Sequence, residues 1–128
     1  MLARMAWFAG AGWGQDITLS VDGGIITGML ISAYQYFDEM ADAASLATVT
    51  GGGDDVIRET FVKFYKDWQQ LYPDTKDPEK ALKAPPANYI HLENAQWVTG
   101  QGFVPSSPRL LWRGRIASIS SFSLGRIL

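Results

Sequence analysis

Residues 17–34 read ITLSVDGGIITGMLISAY, and the alternation in this stretch decides the fold. Ile17, Leu19 and Val21 alternate with Thr18 and Ser20, a period of two that puts the apolar side chains on one face of a strand. Asp22-Gly23 follows, a pair that tolerates the positive φ of a tight hairpin turn. Ile26-Thr27-Gly28-Met29-Leu30-Ile31 then runs back as a second strand. Gly28, in mid-strand, permits a sharp bend or a close backbone approach. A two-stranded hairpin is not stable alone. More sheet is expected at residues 89–98 and 110–119.

The chain of 128 residues is one domain's worth, with 47% hydrophobic and 19% charged residues, ordinary values for a globular protein. A net charge of −2 argues against a general phosphate-binding surface. The absence of cysteine removes disulfides, thiolate metal sites and thiol catalysis, and fits a reducing cytosol. The opening MLARMAWFAGAGWG imitates a signal peptide, but its apolar core is too short, and we read it as structure. No stretch has the ~20 apolar residues of a membrane span.

Around the hairpin the period changes. Residues 2–9 form a short helix with Leu2, Met5, Ala6 and Ala9 on one face, stopped by Gly10 and Gly12. Residues 35–48 read as an alanine-rich helix with Asp38, Glu39 and Asp42 in its first turns. The triple glycine 51–53 is a link; it lacks the ending of a phosphate loop. Residues 55–72 form a second helix, with Ile57, Phe61, Phe64, Tyr65, Trp68, Leu71 and Tyr72 in a broad apolar stripe, ended by Pro73. This stripe reads as core or as a subunit contact. A proline-rich loop follows, with one helical turn at residues 79–83. In the returning strand Ile90 and Leu92 alternate with His91 and Glu93, and the pattern shifts at Asn94-Ala95, which marks a bulge before Trp97. Residues 99–108 read as a turn-rich loop, residues 109–119 as one strand, and Phe122-Ser123-Leu124 as a short closing strand.

Three segments carry a resemblance: residues 17–37, residues 89–92 (YIHL) and residues 112–125 (WRGRIASISSFSLG). Together they resemble the gas vesicle accessory protein GvpU family, over about half the chain. The resemblance implies a non-enzymatic protein acting in vesicle assembly, stability or clustering, through contacts with other gas vesicle proteins and with itself. It implies a cytoplasmic, vesicle-associated place and no cofactor. A more distant similarity is to the Sm-like barrel, carried by Gly23, Gly28, Leu30, Leu92, Ala95, Arg113, Gly114 and Ile116. The expected fold is therefore α+β. It is a small, strongly bent antiparallel β-barrel of about five strands, with an N-terminal helix and a helical insertion, residues 37–87, between strands 2 and 3 of a single domain 1–128. The alternative reading is an Sm-like nucleic-acid binder. The RNA-contacting Asp and Asn of that pattern map to Tyr34 and near Tyr89, which counts against it.

Chemistry is sparse. His91 is the sole histidine and reads as a rim or interface residue; no spacing supplies it with a nucleophile and an orienting partner, or with further zinc ligands. No catalytic, cofactor or metal residue is expected. In Trp112-Arg113-Gly114-Arg115 a guanidinium over an indole can take a phosphate or a partner's carboxylate; the plainer reading pairs Arg113 with a local acid such as Glu93 and packs Trp112 under a helix. Partner contacts are expected at Arg113, Arg115, Trp112, His91, Trp97 and Tyr34.

Overall fold

The computed structural model describes residues 1–47, 54–72, 76–107 and 110–127; the glycine link 51–53, Pro73 and Arg109 lie outside them. Helix α1 (Leu2–Phe8) passes into a 3-10 turn that Gly12 ends at φ 95°. Strands β1 (Asp16–Val21) and β2 (Gly24–Ile31) form the expected hairpin. Asp22 and Gly23 take φ of 48° and 83°, the left-handed pair that a two-residue turn of this twist requires.

Three helices stand between β2 and the next strand: α2 (Ala33–Leu46), α3 (Asp54–Gln69) and α4 (Pro78–Lys83). The sequence places residues 32–34 with the hairpin, but Ser32 caps α2, its hydroxyl accepting from the Gln35 amide at 3.0 Å. Tyr34 is thus helical, and Asp38 and Glu39 fall beyond the first turn. Asp77 caps α4, accepting from the Glu79 amide at 3.0 Å. Helix α3 stops at Gln69, before Tyr72.

Strand β3 (Tyr89–Thr99) is followed by β4 (Gly102–Val104), β5 (Leu110–Arg115) and β6 (Ile119–Leu124). All six pair antiparallel in one sheet, in the order β4-β3-β2-β1-β6, with β5 also on β3. β5 borders residues 89–95 of β3, and β4 borders residues 97–99.

Three expectations need correction. Among the described residues the sheet has six strands and no ladder joins β6 to β4 or β5, so it does not close into a barrel. The expected loop at residues 99–108 contains β4, because Thr99 Oγ1 donates to the Gly102 carbonyl at 2.8 Å and tightens a hairpin there. The expected strand at residues 109–119 breaks at Ile116, where a 3-10 turn begins and the Ile116 amide donates to the Asn88 carbonyl at 2.9 Å. That turn carries the chain from the β3 edge to the β1 edge.

The sheet bends where its ladders slip. Between β2 and β3 the register shifts at Thr27/Met29, opposite Asn94 at φ 50°. A Cβ at Gly28 would meet the Glu93 carbonyl at 3.1 Å and the Ala95 Cα at 3.2 Å, so glycine is what lets the two backbones approach at this bulge. Inside the bend Ile17, Leu19, Ile26, Ile90, Leu92 and Ala95 are buried, with Leu2 and Met5 of α1 against them. A smaller cluster joins Ala6 and Trp7 of α1 to Ala81, Ala84 and Ala87.

Candidate functional site

The alternation of β3 sends Ile90 and Leu92 into the aliphatic core, and His91 to the opposite face. β5 pairs His91 with Arg113 directly across the ladder. Arg113 Nε donates to His91 Nε2 at 3.1 Å, and its Nη2 donates to the Tyr72 hydroxyl. Its guanidinium carbon lies 3.6 Å from the Tyr89 ring centroid, with Phe37 at 5.8 Å and Tyr72 at 5.9 Å. Among the described residues no carboxylate pairs with Arg113. The expected Glu93 pair is absent, and the ring beneath the cation is a phenol, not the Trp112 indole.

His91 is buried, not at a rim, and rings surround it: Tyr36 at 4.8 Å, Phe37 at 6.2 Å and Tyr72 at 6.4 Å. Phe37 stacks in turn on Tyr72 at 5.4 Å and on Trp68 at 6.1 Å. Burial, and then the charge of Arg113, push the imidazole down to about 3. At neutral pH the ring is therefore uncharged. Because Nε2 accepts from Arg113, the ring hydrogen sits on Nδ1. With Nε2 occupied and basicity so low, His91 is a hydrogen-bond donor and a poor base. Burial also raises the Tyr36 phenol, against the lowering effect of Arg113.

A second polar contact joins α2 to the same sheet face. Burial, and then the adjoining Glu93 carboxyl, push Glu39 up to about 7. Its Oε2 is buried without a hydrogen-bond partner among the described residues. An uncharged acid at this position fits the site better than a carboxylate.

The other expected contact residues lie apart. Trp97 and Trp112 meet edge-on at 6.4 Å against the aliphatic core, on the opposite side of the sheet from His91. Each covers a glycine: a Cβ at Gly24 would meet the Trp97 ring at 3.0 Å, and one at Gly114 the Trp112 ring at 2.1 Å. Arg115 is exposed at the end of β5, opposite Tyr89. Tyr34 borders a different cleft, with Asp38 and Gln35, and its carbonyl accepts from Gln69 Nε2 at 2.9 Å. So the structure brings His91 and Arg113 together and leaves Tyr34 elsewhere. Sequence reasoning missed Tyr72, Tyr89, Tyr36 and Phe37 as their partners. The available signal was the recurrence of aromatic residues at the start of α2 and the end of α3.

Beside the site, α3 shows an apolar row to solvent. Ile57, Phe61, Phe64 and Trp68, continued by Leu71 in the turn past the helix end, follow a 4-3-4-3 spacing and are 38–72% exposed. The neighbouring row, Arg58, Val62, Tyr65, Gln69 and Tyr72, is the more buried one. No helix among the described residues is long and apolar enough to cross a membrane, and no cluster of His, Asp or Glu there is arranged to hold a metal.

A family model described as "Gas vesicle protein GvpU-like" matches residues 3–127. No curated protein and no solved structure matches the chain.

Proposed function

Since the chain belongs to the GvpU-like family of gas vesicle proteins, we propose that it is a non-enzymatic accessory protein acting in vesicle assembly, stability or clustering. It works through contacts with other gas vesicle proteins and with copies of itself, in the cytoplasm at the vesicle.

The exposed row on α3 is the observation that carries this reading. Four large apolar side chains on one flank of α3, with Leu71 just past its end, exceed what a solitary soluble domain needs to leave in water. A spacing near 3.5 residues suits another helix. The edges of β6 and β5, unpaired among the described residues, offer a second means of self-association. Arg113 and His91, with Arg115, Trp112, Trp97 and Tyr34 more loosely, remain the proposed contact residues.

Two finer features of the fold belong to this proposal. One is an Sm-like, half-barrel curvature, supported by the flanking of β1-β2 by β6 and β3 and by the bulges in the ladders. The other is a single domain in which residues 37–87 are an insertion, supported by the packing of Phe37 against His91 and of α1 against α4.

Light scattering on nucleic-acid-free protein, followed by sedimentation with and without purified gas vesicles, tests the reading. A discrete oligomer that co-sediments, and a Phe64→Asp variant that does neither while melting normally, are the expected results. A monomer that ignores vesicles would overturn it. If that monomer also held RNA through purification, the nucleic-acid reading would replace it.

A further inference from the structure

Next to Arg113 lies a cleft of about 250 Å³. Trp7, Leu71, Pro85 and Pro86 line it on its apolar sides, and Tyr72 and His91 supply polar atoms. Asn88, on its rim, can donate or accept, and the two side chains nearest Arg113 both donate. His91 Nδ1 carries the ring hydrogen and meets no acceptor among the described residues. The Tyr72 oxygen accepts from Arg113, which leaves its own hydrogen to be donated outward. Behind both stands the Arg113 guanidinium, without a counter-ion among the described residues. Beside Arg113 these groups offer donors and positive potential, which disfavours amines and metal cations there and favours an anion.

The charge count narrows the class. One guanidinium balances one negative charge. A phosphate dianion would bring a second charge into an apolar cleft and leave it unpaired. A carboxylate matches in charge, and its two oxygens suit two convergent donors. The space beside the donors is bordered by leucine, tryptophan and proline and has room for an apolar group about the size of a phenyl or leucyl side chain.

We propose that this cleft is a binding site for a carboxylate carried on a short apolar body, with His91 Nδ1–H and the Tyr72 hydroxyl as direct donors and Arg113 as the charge behind them. The inference goes beyond the vesicle role and does not depend on it. The carboxylate has two possible sources: a free organic acid, or the carboxylate of a peptide whose adjoining residue is apolar. The chemistry at the donors is the same.

The test uses the whole soluble protein without vesicles, so its failure is separate from failure of the accessory reading. Phenylacetate and its uncharged amide are titrated while the His91 ring nitrogens are followed by NMR. A short peptide ending in leucine, as free acid and as C-terminal amide, forms the second arm. Saturable shifts at His91 are expected with the acids, with the amides weaker by about tenfold or more, the worth of one charge-assisted contact. A peptide acid binding more tightly than phenylacetate assigns the site to a protein partner; the reverse assigns it to a free acid. Tyr72→Phe should weaken acid binding several-fold and leave the amide unchanged. Arg113→Gln should abolish the preference for acid over amide. Should Arg113→Gln fail to fold, the wild-type acid–amide comparison and Tyr72→Phe still decide. Equal binding of acid and amide, or no response at His91, would overturn the proposal.

Discussion

Leu92 and His91 are neighbours in one strand, 0% and 2% exposed, and they face opposite kinds of interior. Leu92 enters an aliphatic cluster drawn from the sheet and α1. His91 enters an aromatic surround whose parts come from β5, α2 and the turn after α3. The first interior needs only apolar bulk and the alternation of strands. The second needs particular atoms in register, because an unmatched donor or charge there costs more than a missing methyl. Equal burial therefore does not mean equal tolerance of change.

The sharpest way to break this comparison is to empty the aliphatic side. Leu92→Ala should lower unfolding stability by about 3–4 kcal/mol, read as a shift in the urea midpoint without a change in slope. The opposite face should show itself through acid. Native His91 stays neutral down to about 3, whereas the unfolded chain takes up a proton near 6.5. Between those values the unfolded state binds more protons, so stability falls as pH drops below about 6.5, by roughly 2 kcal/mol at about pH 5. Glu39 opposes this. Its native carboxyl keeps its proton up to about 7 while the unfolded one releases it near 4.5, so its contribution is full at low pH and is lost as pH rises through 7. Melts of Glu39→Gln across this range should therefore show the acid loss more steeply than wild type, and His91→Leu should remove it.

A milder change bears on the tryptophan side. Gly114→Ala drives a methyl into the Trp112 ring, which can move as a side chain, and should cost about 1–2 kcal/mol together with a shift in tryptophan emission. The smallest effect is expected on α3. Lys63 and Asp67 pair at 2.8 Å with both side chains largely in water, so Lys63→Ala should leave the urea midpoint almost unmoved.

The same comparison explains what could be read from the sequence. The hairpin, its Asp22-Gly23 turn, the bulge at Asn94-Ala95 and the apolar side of β3 follow from local pattern, because each rests on residues adjacent along a strand. The surroundings of Arg113 do not. Glu93 was the near carboxylate, but Tyr72, delivered by the turn after α3, and Tyr89, on the paired strand, are the groups that meet the cation. The openness of the sheet was also hidden, since closure depends on which edges meet and not on the pattern within a strand. Ile116 shows the limit on a small scale: it continues an alternating pattern and its amide still bonds Asn88 in register with the ladder, yet a 3-10 turn begins there and ends the strand.

The crossing from β2 to β3 has a further consequence, for the order of events in folding. The central pair of the sheet, Leu30 opposite Leu92, cannot zip until the whole run of α2, α3 and α4 has been gathered between its ends. The cost of closing such a loop grows only slowly with its length, but contacts so distant along the chain slow the search for them. Helices form in about a microsecond or less, so α2 and α3 can fold back on one another first and shorten the distance the strands must cover. The segment that holds the apolar row and encloses His91 would then also serve the newly made chain as a kinetic shortcut, drawing together two halves of a sheet that it never joins.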